Sequence, residues 1–295
     1  MTPPMRLALF LGATGIGMIL GALISFSLVA ALFHLGLNDI QKIISDPQYA
    51  TAAQLANALA SIIAFGLPSV AVAYFTQGQL VKNMGFAPIK SNQQVLLVIV
   101  LAFAGLMLSG ALGSLTEKIP ISASFKNWAE SLEAQYKKAL VSMTQMHSIV
   151  DLLYALLAVA IVPAIVEELY FRGALQKTLT QWTGKPWLAI LVTAIFFSTI
   201  HFSYFGFLSR MALGILLGFI FEFTKTIWLP ILLHFINNGI AIVALYTVRN
   251  NPARVEKVMD ENFPIYWGLM ACVVIYYLLI KLKKISQDAG LEESI

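Results

Sequence analysis

Glu167, Glu168 and Arg172, then His201, then His234 and Asn238, lie inside or at the edges of long apolar stretches. A charged side chain at the centre of a membrane helix costs about 2.5–3.5 kcal/mol on insertion scales, so each such residue needs a partner or a task. Glu168 and Arg172 are four residues apart, share a helix face and run acid first, the better order for an ion pair. Glu167 is turned about 100° from Glu168 and is left free to accept a proton. Pro163 has no N–H for the carbonyl of Val159, which predicts a kink just ahead of the pair. His234 and Asn238 are also four apart and share a face. Apolar residues precede and follow them, so a position at the membrane surface does not account for them. For Glu167, Glu168 and His201 that plainer reading stays open.

A carboxylate and two imidazoles can activate water, or hold a metal that does so. An amide and an imidazole can donate hydrogen bonds to the oxyanion of a tetrahedral intermediate. Amide hydrolysis needs both functions. The sequence has no HExxH and no GxSxG, and its one cysteine, Cys272, has no evident catalytic partner. Zincin, serine and cysteine mechanisms are therefore disfavoured.

These residues need elements to hold them. Of 295 residues, 59% are hydrophobic and 12% charged, with a mean hydropathy of +0.79. Soluble domains carry about a quarter charged residues. Runs at 7–35, 54–75, 94–114, 149–171, 187–203, 207–223, 226–247 and 264–282 are read as spans; 187–203 and 207–223 are the shortest, and either could be a partly sunk helix. The runs are continuous, not alternating, so the expected fold is all-α: a polytopic transmembrane bundle of about eight spans. With no internal repeat or low-complexity linker, 1–295 reads as one domain. The first run is too long for a signal-peptide core and reads as a retained span; its Gly17 and Gly21 permit close helix contact.

Within 115–148, Phe125, Trp128, Leu132, Tyr136, Leu140 and Met143 recur at steps of three or four, with Glu130, Glu133, Lys137 and Lys138 largely between them. This predicts an amphipathic helix, in the membrane interface or against the end of the bundle. With eight spans and the N-terminus inside, the inner segments hold Arg6, Lys82, Lys90, Arg172, Lys177, Lys185, Lys225, Lys281, Lys283 and Lys284. The outer ones hold Lys42, Arg210, Arg249, Arg254, Lys257 and four lysines of 115–148. The bias predicts cytoplasmic N- and C-termini.

Glu-Glu-x-x-x-Arg (Glu167–Arg172), Phe-x-x-x-His (Phe197–His201) and His-x-x-x-Asn (His234–Asn238), in that order, resemble the motifs of the CAAX-protease and bacteriocin-processing intramembrane peptidases. This CPBP or Abi family includes the type II CAAX prenyl endopeptidases. The resemblance covers about 150–245 and places the catalytic core at 149–247. It implies an intramembrane endopeptidase whose cavity opens toward the cytoplasm. By position, Glu167 and His201 would activate water, while His234 and Asn238 would stabilise the oxyanion. Glu168, Arg172 and Phe197 would support the site. If the family uses a divalent metal such as zinc, the same four residues would be its ligands.

Expected partners are membrane lipid and a membrane-associated protein or peptide substrate. A net charge of +4 without a long basic tract excludes nucleic acid. Two other classes compete. An ion-coupled transporter would use the same buried groups as a relay, but no inverted repeat is visible. A non-catalytic adaptor of the same fold would not need the full motif set. Asn237 could stand behind Asn238, and Arg210 could face the cavity mouth.

Overall fold

The computed structural model describes residues 2–36, 42–43, 46–75, 84–259 and 263–292. Lys82, used in the charge argument, lies outside them. Ten helices run through these residues: α1 (Pro3–Leu32), α2 (Pro47–Phe75), α3 (Asn92–Glu117), α4 (Ala123–Met143), α5 (Ile149–Thr183), α6 (Pro186–Thr199), α7 (Phe207–Thr224), α8 (Trp228–Val248), α9 (Pro252–Met259) and α10 (Ile265–Glu292). No strand occurs among the described residues.

The ends follow local chemistry. Proline opens α1, α2 and α6, where its missing N–H costs nothing. Ser91 and Ser122 cap α3 and α4 through their hydroxyls, and Ser148 with Asp151 forms a reciprocal capping box on α5. Gly184, at φ 65°, stops α5 in the left-handed conformation that glycine adopts without a Cβ clash.

Seven of the ten helices are long and apolar enough to cross a membrane, one fewer than the expected eight. The exception is α6. The helix that carries the apolar run at 187–203 is only 14 residues long, because the chain leaves helical geometry after Thr199. At about 1.5 Å per residue this reaches about 21 Å, short of about 30 Å of hydrocarbon. Leu23, Ile24, Val273 and Tyr276 are among the side chains exposed along α1 and α10, as lipid contact requires.

α5 differs the other way. The apolar run ends at 171, but the helix continues to Thr183. Glu167 is therefore mid-helix, not near the end of its span. The reason is that residues 172–183 turn amphipathic rather than breaking the helix: Ala174, Leu175 and Leu179 pack inward while Lys177 reaches the Phe221 ring. Two π-helical stretches, Leu156–Ile161 and Leu169–Gln176, flank Glu167 and Glu168. The first ends just before Pro163, so the missing N–H is absorbed by a widened turn.

Two of the five buried apolar clusters among the described residues join most of the bundle. One joins α3, α7, α8 and α10 through Leu97, Leu101, Leu217, Ile220, Leu233 and Leu282. The other joins α1, α2, α5 and α6 through Phe10, Val72, Tyr170, Phe171 and Phe197. Gly17 and Gly21 let α1 sit directly on α2: a Cβ at Gly21 would lie 3.0 Å from the Ala60 carbonyl oxygen. The helices run alternately up and down. Arg6 donates to Gln181, Gln94 donates to Ser286, and Thr226 donates to the Ala87 carbonyl. These contacts gather the first residues of α1, α3 and α8 and the last of α5 and α10 at one end. We call it the Arg6 end; α4, α9 and the close of α8 lie at the opposite, Arg249 end. The amphipathic helix predicted at 115–148 is α4, packed against the start of α2.

Candidate active site

α5, α6 and α8 bring the motif residues together at mid-bundle. Glu168 and Arg172 are fully buried and paired at 2.9 Å. Arg172 also donates to the Gly214 carbonyl at 2.9 Å, and one turn on Gln176 donates to the Gly218 carbonyl at 3.1 Å. Both acceptors are glycines because α6 and α7 nearly touch there. A Cβ at Gly214 would sit 3.0 Å from the Cα of Ala194. The Gly214–Gly218 spacing is in the sequence and was the missed signal.

His234 bridges the two glutamates. Its Nδ1 lies 2.9 Å from Oε1 of Glu168, and its Nε2 lies 3.9 Å from Oε2 of Glu167. An ionised Glu168 paired with Arg172 can only accept, so Nδ1 is the donor in that bond. Glu167 Oε2 is buried and has no hydrogen-bond partner among the described residues. Oε2 of Glu168 is likewise buried without a hydrogen-bond partner, so the glutamates differ in the other oxygen of Glu168, Oε1, which two groups, Arg172 and His234, hold.

His201 lies in the turn after α6. Its Nδ1 is 2.7 Å from the Phe197 carbonyl, which can only accept, leaving Nε2 as the free acceptor. The Phe197 ring lies 5.0 Å from the ring of His201, 5.8 Å from that of His234 and 5.3 Å from the Arg172 guanidinium. It fixes both imidazoles by contact. On α8, Asn237 donates to Oδ1 of Asn238 at 3.3 Å, leaving the Asn238 amide hydrogens free to donate elsewhere.

A cavity of about 970 Å³ opens at the Arg249 end between α3, α4, α7, α8 and α9. Ala241, one turn past Asn237 on α8, lines it, and so does Arg210. None of the motif residues lines it directly. Among the described residues, no three His, Cys, Asp or Glu side chains are grouped closely enough to hold a metal ion. His234 and His201 each spend Nδ1 on an acceptor and keep Nε2, the ring nitrogen through which a histidine held in this way can also bind a metal.

Residues 149–240 match the family model described as type II CAAX prenyl endopeptidase Rce1-like. This segment is Rce1-like. It contains every motif residue from Glu167 to Asn238, and with the apolar helices it marks an integral, multi-pass membrane protein. The chain is also 31% identical over 81 residues to the uncharacterized protein YpbD of Bacillus subtilis (strain 168). That match covers 26% of this chain and 38% of YpbD, so the chain spans less than half of the relative it matches. No solved structure matches.

Proposed function

We propose that the Rce1-like segment makes this chain an intramembrane endopeptidase that hydrolyses a membrane-associated protein or peptide. The observation that carries the reading is the asymmetry of the two adjacent glutamates: Glu168 is neutralised by Arg172 and held by His234, while Glu167 has no arginine or lysine paired with it among the described residues and sets a buried Oε2 3.9 Å from Nε2 of His234.

Glu167 takes a proton from water, with the free Nε2 of His201 as a second acceptor, and the hydroxide attacks the peptide carbonyl carbon. The oxyanion accepts from the amide of Asn238 and from His234. To donate from Nε2 as well as Nδ1, His234 must carry both ring protons. As the tetrahedral intermediate collapses, the C–N bond breaks and Glu167 returns its proton to the leaving amine. The mechanism uses this chain's side chains directly; a divalent metal, if bound, would be held by Glu167, His201, His234 and Asn238 and would supply the activation of water. The abundance of Arg and Lys at the Arg6 end, against the mixed charges of the other, supports a cytoplasmic Arg6 end and cytoplasmic termini.

The test compares membrane proteins and small peptides, by mass spectrometry of termini, in cells carrying wild type or Glu167→Gln. We expect termini that are present only with wild type, and a variant expressed and folded at the wild-type level. Identical termini in both would remove Glu167 as the base and the peptidase reading with it.

A further inference from the structure

Arg210 stands at the wall of the cavity, and the chemistry above does not use it. Its guanidinium lies 4.9 Å from the centre of the Tyr136 ring of α4. Its Nη1 is buried without a hydrogen-bond partner, and no ion pair joins it to a carboxylate among the described residues. The other charges around the cavity are engaged. Lys126 lies 3.8 Å from Glu130, Glu133 accepts from Ser203 at 2.7 Å, and Glu117 and Lys137 have interactions of their own. A Cβ at Gly206 would collide with the guanidinium, so the bare backbone there makes room for it.

A guanidinium offers a planar fork of donors that matches a carboxylate, and an aromatic face on one side keeps that plane fixed. Arg210 is also near enough for its charge to act on His201. We propose that Arg210 is a specificity-determining residue: in the cavity it binds a carboxylate of the peptide, and so selects which bond meets Glu167. The carboxylate is the peptide's C-terminus or an acidic side chain. This inference rests on the peptidase reading, so binding and cleavage are measured separately.

The full chain is reconstituted in phosphatidylcholine–phosphatidylglycerol nanodiscs and offered a mixed-sequence, N-palmitoylated fluorescent heptapeptide pool. The pool is made in three forms: a free C-terminal carboxylate, a carboxamide, and a carboxamide with Glu in the last position. Binding is read by anisotropy on Glu167→Gln, which holds peptide without cutting it. The carboxylate pool should bind about 10- to 100-fold more tightly than the plain carboxamide, as loss of a charge-assisted hydrogen bond predicts. Adding Arg210→Gln should erase that preference, and Arg210→Lys, which keeps the charge but not the fork, should keep only part of it. Restoration of binding by the Glu-ended carboxamide assigns the carboxylate to a side chain; no restoration assigns it to the C-terminus. Equal binding of the carboxylate and both carboxamide pools overturns the proposal, as does a preference that survives Arg210→Gln in protein eluting as wild type does. Should Arg210→Gln misfold, the Arg210→Lys result decides. An intact preference without any cleavage by wild type counts against the peptidase reading and for the Arg210 site.

Discussion

Oε1 of Glu168 accepts from Arg172 and lies equally close, at 2.9 Å, to Nδ1 of His234. One oxygen therefore ties a structural ion pair to a residue of the proposed chemistry, and mutations on either side should separate stability from turnover.

Arg172→Ala leaves a fully buried carboxylate with one donor fewer and should cost about 3–5 kcal/mol. Thermal unfolding in detergent measures it. The double variant Glu168→Gln, Arg172→Met removes both charges and should recover much of the lost stability. Cleavage should stay low, because His234 no longer has an ionised carboxylate to orient its ring.

Glu167→Gln should lower turnover by about 10²–10⁴-fold, the usual worth of a positioned general base. Its Oε2 has no hydrogen-bond partner among the described residues, so unfolding should hardly change. A large drop in melting temperature would show that Glu167 is structural.

Gly214→Ala should destabilise the bundle by about 1–3 kcal/mol, since the new methyl meets the Ala194 backbone across the α6–α7 contact. The displaced carbonyl would also pull away from Arg172. Gly12→Ala, with open space around the new Cβ, is the matched control and should leave unfolding unchanged.

Cysteine labelling fixes orientation. In a Cys272→Ser background, a cysteine at Lys185 should be protected from an impermeant reagent in intact cells, and one at Arg254 should react. The reverse pattern would turn the cavity toward the cytoplasm, as the family resemblance implies. Loop charge and resemblance differ here, because the cavity lies at the end opposite to Arg6.

What the sequence revealed was local. The i,i+4 pairs Glu168–Arg172 and His234–Asn238 follow from helical period alone, and long apolar runs announce their helices. The run at 187–203 was short enough to suggest a partly sunk helix, but the end of α6 at Thr199 did not show, because hydropathy continues past it while the backbone turns into the His201 loop. Nor did the extension of α5 to Thr183, whose inward face becomes clear only once α1, α2 and α6 pack on it. The bond from Arg172 to Gly214 spans 42 residues and depends on how closely two helices approach. The sequence allowed Arg210 to face the cavity mouth, but the Tyr136 ring beneath it shows only in the packing.

The brevity of α6 has a mechanical consequence. A rod about 9 Å too short for the hydrocarbon layer forces the surrounding lipid to dip, or admits water down to the His201 loop. A hydrolase needs both water and a polar backbone at its carboxylate. A dimpled membrane beside α6 would shorten the passage of each through oil, so that the bilayer's own deformation opens the route.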